Sequence, residues 1–176
     1  VLSQDNIHLV RNERNMGKGY ALRRGFSFLE DRGYSHVVTM DSDLQHSPFE
    51  LGKFLDADLK IDLVLGHRER APSMPPHRKF SNFITSFIIS KITGVKILDS
   101  QCGFRRYSLN ILKNIKFIED GFQFESEVLI KTINRDIDIE QIKVSTIYDK
   151  NNKSYIKHLS DTLKFVRLIL RSLFKR

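Results

Sequence analysis

The sequence predicts an α/β protein, a three-layer sandwich in which helices cover both faces of a mostly parallel sheet. Short apolar, β-branched runs alternate with helical patterns over the first 66 residues, and this βαβαβ order is typical of parallel sheets. The 176 residues, 40% hydrophobic and 28% charged, suit one globular domain. A single cysteine excludes an intrachain disulfide framework, and no apolar run reaches the roughly 18 residues that a membrane-spanning helix needs.

The first elements follow from the spacing of the apolar residues. Residues 7–10 are a short apolar run, which predicts a strand. Residues 15–32 have apolar side chains at helical spacing, and Gly33 ends this predicted helix. Residues 36–40 are apolar and β-branched, so they predict a buried strand.

A second helix and a third strand continue the pattern. Ser47-Pro48-Phe49-Glu50 has the order of a capping box, with proline at the first helical position, and predicts a helix start. Residues 63–65 predict another buried strand, and residues 71–76 a proline-rich loop. An apolar stripe at helical spacing then predicts a helix that ends at Gly94. The stripe consists of Phe80, Phe83, Ile84, Phe87, Ile88 and Ile92.

The rest of the chain predicts a helix over residues 121–135, a strand over 139–147, a polar loop over 149–154 and an amphipathic helix over 156–176. The acids that open the helix at 121–135 suit the helix dipole, and that explanation accounts for them without a functional role.

Two aspartates stand directly after the strand at 36–40, and ligands of open parallel sheets bind beyond the carboxyl ends of strands. The spacing of Asp41 and Asp43 places both side chains on one face of an extended chain. Such a pair attracts a hard cation, Mg²⁺ or Mn²⁺, and Gln45 continues the spacing with a neutral oxygen. The alternative is an ordinary turn, although Ser47 already supplies a cap for the next helix.

Three further segments are candidates for binding anions. Asn15-Met16-Gly17-Lys18-Gly19 lacks the Walker order, but glycines at a helix start let a backbone approach a phosphate. The alternative is a glycine-rich turn with a solvated Lys18. Arg68 ends the third strand and could face a diphosphate or pair with Glu69, and Arg78 opens the following helix.

The polar run from Asp99 to Arg105 separates two apolar segments. Asp99 could orient an acceptor or act as a base, and Arg105 could bind an anion. The alternative is turn chemistry around a buried Cys102, which no feature marks as a nucleophile.

Most of the net charge of +8 lies in the tail. Residues 150–176 carry a charge of +7, which leaves +1 for the rest and argues against a nucleic-acid-binding surface. Lys164, Arg167, Arg171 and Lys175 form one stripe, beside apolar residues that include Leu170. A basic amphipathic helix can bind an anionic membrane surface; the alternative is that it packs on the domain with its charges solvated.

The order of these motifs is more specific than any one of them. It resembles the inverting family-2 glycosyltransferases of GT-A fold, and within them it is similar to the dolichyl- and polyprenyl-phosphate sugar synthases. Phe124-x-x-Glu127 and residues 148–154 continue the match. The segments that carry the resemblance are Asn15-x-Gly17-Lys18-Gly19-x-Ala21-Leu22, Asp41-x-Asp43-x-Gln45-x-x-Pro48-x-Glu50, Gly66-x-Arg68 and Asp99-x-Gln101-x-Gly103-Phe104-Arg105.

The resemblance implies a metal-dependent transfer of a hexose from UDP- or GDP-hexose to a polyprenyl or dolichyl phosphate, or to a glycan. Mg²⁺ or Mn²⁺ would be held by Asp41, Asp43 and Gln45. Asp99 and Arg105 are implied on the catalytic and acceptor side. Donor and phosphate contacts fall to Gly17, Lys18, Asp41, Arg68, Arg78 and Lys150.

The resemblance also implies two regions: a GT-A catalytic domain over 1–155, lacking its first strand–helix portion, and the basic helix over 156–176. We expect the protein at the cytoplasmic face of a membrane. The competing interpretation is a non-catalytic, degenerate transferase fragment or a module that binds membrane surfaces through the tail.

Overall fold

The computed structural model describes residues 7–68, 76–133, 135–147 and 158–173. Single turns of 3-10 helix occur at Pro48–Glu50 and Leu109–Leu112. The helices and strands, in chain order, are α1 (Lys18–Glu30), β1 (His36–Thr39), α2 (Leu51–Leu55), β2 (Leu63–Arg68), α3 (Pro76–Thr93), β3 (Arg105–Ser108), α4 (Phe124–Ile133), β4 (Ile139–Val144) and α5 (His158–Leu173).

The four strands form one sheet in the order β1-β3-β2-β4. β2 and β4 pair in parallel, with Arg68 opposite Val144. β3 lies antiparallel between β1 and β2, with Thr39 of β1 opposite Arg105. β1, β2 and β4 therefore run in one direction, as the sequence predicts, and β3 is the exception in the mostly parallel sheet.

Two apolar clusters lie on opposite faces of this sheet, because successive side chains of a strand alternate between faces. Leu63 and Leu65 of β2 join one cluster and Val64 joins the other. Helices thus cover both faces, which confirms the predicted three layers. The first cluster includes Phe26, Ile89, Tyr107, Phe124, Val128 and Leu129, and the second includes Phe54, Phe104 and Val144.

Two local predictions are wrong. Residues 7–10 have no regular structure, since no strand in the described part of the chain pairs with them and Leu9 is 87% exposed. Ser47 makes no side-chain cap, so the predicted capping box does not form. The Glu50 carboxylate accepts hydrogen bonds from the backbone N–H of Ser145, at 2.8 Å, and from the ammonium of Lys53.

Helix α3 forms as predicted and ends before Gly94, whose φ of 73° suits glycine. Its apolar stripe is not buried as a core stripe would be. The side of α3 that faces the protein is largely polar, with Asn82 and Ser86 buried beside Ile89. The outward stripe exposes Phe80, Phe83, Ile84 and Phe87.

Helix α5 packs on the domain by one face only. Leu168 is buried, Phe165 packs against the first apolar cluster, and the amide of Gln123 donates to the carbonyl of Asp161 at 3.0 Å. The other face exposes Leu163 and further apolar residues. Within the described ranges, we find no helix with the length and apolar content needed to cross a bilayer.

Candidate active site

Part of the predicted site set lies where β1 and β2 end, namely Lys18, Asp41, Asp43, Arg68 and Asp99. The two strands run in the same direction on either side of β3, so the residues that follow them meet at one edge of the sheet. The segment that leads into β3 passes between them. The Thr39 hydroxyl donates to the carbonyl of Gly103 at 2.9 Å, and the N–H of Gly66 donates to that of Phe104 at 2.9 Å.

Asp41 is held on two sides. The ammonium of Lys18 lies 2.7 Å from Asp41 Oδ1 and 2.9 Å from Glu125 Oε2, so it bridges the two carboxylates. On the other side, a Cβ at Gly103 would come within 2.3 Å of Asp41 Oδ2. Glycine at 103 is thus required for the Asp41 carboxylate to lie where it does.

Lys18 remains charged at this position. Burial by itself would lower the pKa of Lys18, but the Coulombic attraction of Glu125 and Asp41 outweighs it and raises the pKa to about 12. The alternative of a glycine-rich turn with a solvated lysine is therefore wrong, because the side chain of Lys18 is only 20% exposed.

The glycines beside Lys18 accommodate protein backbone. A Cβ at Gly17 would lie 2.3 Å from the carbonyl oxygen of Asp120, and one at Gly19 would lie 2.5 Å from Phe124 Cβ. The N–H of Gly19 donates to the Asp120 carbonyl at 2.8 Å. A carbonyl thus occupies the position that the sequence suggested for a phosphate. The contribution of this turn is to place Lys18, and we do not retain Gly17 as a phosphate ligand.

Asp43 lies in the turn after β1. The Asp43 Oδ1 atom accepts a hydrogen bond from the N–H of Gln45 at 3.1 Å, and Leu44 between them has a φ of 60°. The carbonyl of Gln45 accepts from the N–H of Ile147 at 3.0 Å, which ties the turn to the segment that follows β4. The two aspartates and Gln45 thus stand on an anchored turn.

These side chains fit a hard divalent cation that a substrate helps to bind. Across the residues that the structure describes, no three or more His, Cys, Asp or Glu side chains are grouped to hold a metal by themselves. Asp41 and Asp43 supply carboxylate oxygens, the ligands that Mg²⁺ prefers, and Mg²⁺ is commonly held by one or two carboxylates together with substrate phosphates. A pair of aspartates is sufficient for that arrangement.

Arg68 and Asp99 form a paired clamp at the end of β2. Arg68 Nε lies 2.7 Å from Asp99 Oδ2 and Nη2 lies 3.1 Å from Oδ1. The carboxylate is almost completely buried, with 1% of its side chain exposed. Burial would raise the pKa of Asp99, but the charge and hydrogen bonds of Arg68 hold that pKa below its ordinary value. Asp99 is therefore an ionised partner of Arg68.

A polar network behind Asp99 fixes this clamp to α3. The amide of Asn82 donates to Asp99 Oδ1 at 2.9 Å, and the Ser86 hydroxyl donates to Asn82 Oδ1 at 3.0 Å. The N–H of Ser100 in turn donates to the Ser86 hydroxyl at 2.9 Å. This network explains why α3 buries a polar face. Arg78 lies four residues before Asn82, on the same side of α3.

The sequence predicts a catalytic or anion-binding role for Arg105, but the side chain of Arg105 is buried and does not face the site. Its side chain is 0% exposed and donates to the carbonyls of Ser100 and Cys102 at 2.7 Å each and of Glu125 at 3.1 Å. Arg105 thus joins the segment before β3 to the start of α4 and is a structural residue here.

Three more residues complete the placement of the predicted site. Cys102 is fully buried, and burial raises the pKa of its thiol to about 12, in keeping with the predicted packed thiol. Lys150 and the rest of the loop 148–154 lie outside the described residues. His46 was not predicted: its ring is buried 5.5 Å from that of Phe104, and burial first, then the charge of Arg68, lowers its pKa.

Comparison with known proteins identifies the family of this chain. The sequence profile of the family described as glycosyl transferase family 2 matches residues 2–119. The chain is 29% identical to the polyprenol monophosphomannose synthase of Mycolicibacterium smegmatis, over 80% of this chain and 56% of that protein. It is 30% identical to the UDP-N-acetylglucosamine–dolichyl-phosphate N-acetylglucosaminyltransferase of Methanococcus voltae, over 79% of this chain and 59% of that protein.

A solved structure supports the fold. Glucosyl-3-phosphoglycerate synthase from Mycobacterium tuberculosis, in complex with Mn²⁺, UDP-glucose and phosphoglyceric acid, superposes with a TM-score of 0.67 at 19% identity. The match covers 94% of this chain and 56% of that one. The chain thus spans somewhat more than half the length of each of these proteins. With the profile matched over most of its residues, and with aspartates and arginine at the edge of a GT-A sheet, the chain belongs to glycosyl transferase family 2.

Proposed function

We propose that this chain contributes the diphosphate and acceptor side of a metal-dependent inverting glycosyltransferase that moves a hexose from a nucleotide sugar to a polyprenyl or dolichyl phosphate. The observation that carries the proposal is the meeting of Asp41, Asp43 and Arg68 at one edge of the sheet. The names of the two relatives refer to a polyprenol and to a dolichyl phosphate. The solved neighbour supports Mn²⁺ and a UDP-sugar as ligands of such a fold.

The donor diphosphate would lie between the aspartate turn and Arg68. Asp41 and Asp43, with the Gln45 amide beside them, would hold Mg²⁺ or Mn²⁺. When bound, the cation neutralises negative charge on the diphosphate and on the departing nucleotide. Arg68 presents a guanidinium whose orientation Asp99 fixes, and a guanidinium suits phosphate oxygens. Arg78 and Lys150 are further proposed phosphate contacts.

A phosphate acceptor agrees with the state of Asp99. A phosphate oxygen is largely ionised near neutral pH, so it attacks the anomeric carbon without giving up a proton to a strong base. Attack from the face opposite the diphosphate inverts that carbon. Both Asp99 oxygens already accept hydrogen bonds from Arg68 and neighbours, so we propose Asp99 as a positioning residue and not as the base.

The outer face of α5 would bring the site to an anionic membrane surface. It presents Leu163, Val166 and Leu170 beside Lys164 and Arg167, which are also exposed. Apolar side chains can enter the headgroup region while the basic side chains bind lipid phosphates. This location would suit an acceptor whose hydrocarbon chain stays in the bilayer.

The function is tested by calorimetric titration of the folded chain with UDP-glucose, UDP-N-acetylglucosamine and GDP-mannose, in Mn²⁺ and in EDTA. We expect one of them to bind in Mn²⁺ and to lose at least about tenfold in affinity in EDTA, since the cation shares the diphosphate with the protein. Circular dichroism serves as the control for folding. A folded chain that binds none of the three contradicts the donor site and favours the non-catalytic interpretation.

Membrane binding is tested separately by sedimentation with vesicles of phosphatidylglycerol and phosphatidylcholine. We expect Lys164→Gln with Arg167→Gln to weaken binding about 30-fold at low salt, because each basic residue near an anionic surface contributes about 1 kcal/mol. The matched control is Lys60→Gln with Lys116→Gln, which removes the same charge from other exposed positions. Equal loss in both pairs, or binding that salt does not weaken, contradicts the role of α5.

A further inference from the structure

The ammonium of Lys18 forms an ion pair with Asp41, the carboxylate that the proposed function assigns to a divalent cation. It lies 2.7 Å from Asp41 Oδ1, while Gly103 closes the opposite side of the Asp41 carboxylate. A second cation that approaches Asp41 therefore meets a positive charge already in place. Asp43, two residues on, is the second carboxylate of the turn.

We propose that Lys18 is a built-in competitor of the divalent cation, which makes cation binding at Asp41 conditional on the donor diphosphate. This inference rests on the proposed function, because it requires a nucleotide diphosphate at the same edge of the sheet. Lys18 would thereby couple the binding of the divalent cation to the binding of the diphosphate.

The coupling follows from charge. Without diphosphate, Lys18 and a divalent cation repel each other across one carboxylate, so the cation binds weakly. A diphosphate brings several anionic oxygens, which ligate the cation and also offer the ammonium a new partner. The repulsion is then offset, and the cation and the diphosphate each strengthen the binding of the other by the same factor.

Glu125 gives Lys18 a second anchor. Its carboxylate lies 2.9 Å from the Lys18 ammonium and only 6% of its side chain is exposed. Glu125 Oε1 is buried without a hydrogen-bond partner, so the pairing with Lys18 is carried by Oε2. The backbone carbonyl of Glu125 accepts from Arg105, which fixes the start of α4. Lys18 can thus leave Asp41 and still keep a paired charge.

The test is Mn²⁺ binding followed by electron paramagnetic resonance, alone and with UDP or GDP, against a protein-free Mn²⁺–nucleotide blank. For Lys18→Gln we expect Mn²⁺ alone to bind more tightly, on the order of tenfold, and the gain from nucleotide to shrink. For Glu125→Gln we expect a lower affinity for Mn²⁺ alone, because the site loses a negative charge while Lys18 stays. Lys60→Gln is the control for removal of an exposed lysine.

The outcomes separate this inference from the proposed function. If the wild-type chain binds Mn²⁺ with nucleotide but Lys18→Gln binds Mn²⁺ alone no more tightly, the competition is refuted and the donor site stands. If neither Mn²⁺ nor nucleotide binds to any folded variant, both proposals fail. Should Lys18→Gln not fold, Glu125→Gln decides: unchanged or tighter binding of Mn²⁺ alone overturns the inference.

Discussion

Asp41→Asn should abolish metal-dependent binding of the nucleotide sugar and lower turnover at least about 100-fold, the scale of losing one preorganised electrostatic contact to the transition state. The amide has nearly the shape of the carboxylate, so it fits against Gly103, but it carries no charge for a cation. Calorimetry in Mn²⁺ measures the loss of binding, and transfer of labelled hexose to a polyprenyl phosphate measures the loss of turnover.

Asp43→Asn should give the same loss of binding, because the two carboxylates are proposed to hold one cation. Asp31→Asn, at an exposed position after α1, is the matched control and should leave binding unchanged. Intact metal-dependent binding in both Asp41→Asn and Asp43→Asn would remove the mechanism. The Lys18–Glu125 pair remains in both variants, so they should fold.

Asp99→Asn should lower the free energy of unfolding by about 3 kcal/mol, the scale expected when one partner of a buried ion pair is removed. The variant leaves Arg68 without its counter-charge, and Arg68 has only 14% of its side chain exposed. Urea denaturation of the two proteins measures the difference. Asp56→Asn, which alters an exposed aspartate, should change stability by no more than about 0.5 kcal/mol.

The pH dependence of that difference checks its cause. Pairing with Arg68 lowers the pKa of Asp99 in the folded protein below its ordinary value of 3.8. The ionised form therefore stabilises the fold fully above about pH 3.8, and this stabilisation is lost as the pH falls through the lower, folded-state pKa. The wild-type advantage over Asp99→Asn should be constant near neutral pH and shrink in acid. An advantage that is unchanged in acid would show that the ion pair is not its source.

The sequence predicts the elements well where one physical rule decides them. Helix α1 and strand β1 follow from apolar spacing, and α3 ends just before Gly94, as predicted. The predictions fail where a distant partner decides. β3 is absent from the predicted elements: it pairs with β1 and β2 and buries two adjacent arginines, with Arg106 donating to the carbonyl of Ala57 at 2.6 Å. No local pattern reveals these partners.

The site residues also divide into those that a local pattern predicts and those that a distant partner determines. The Asp41-x-Asp43 spacing and the position of Arg68 at a strand end could be predicted, since both depend on where strands stop. The partnership of Lys18 with Glu125 could not, because these residues are 107 positions apart and Glu125 is also explained as an acid at a helix start. Arg105 was misassigned because charge suggests exposure unless the tertiary structure provides buried acceptors.

The insertion of β3 between β1 and β2 has a consequence for biosynthesis. On the ribosome, Asp41 and Arg68 emerge long before the segment that joins them, and β1 and β2 have no ladder with each other in the described sheet. A nascent chain that ends before residue 99 holds the aspartates without Gly103 behind them and Arg68 without Asp99. Strand pairing between distant segments is slow. The proposed binding site should therefore form only after β3 has left the ribosome and paired with β1 and β2. Nascent chains stalled before residue 99 should not bind the nucleotide sugar.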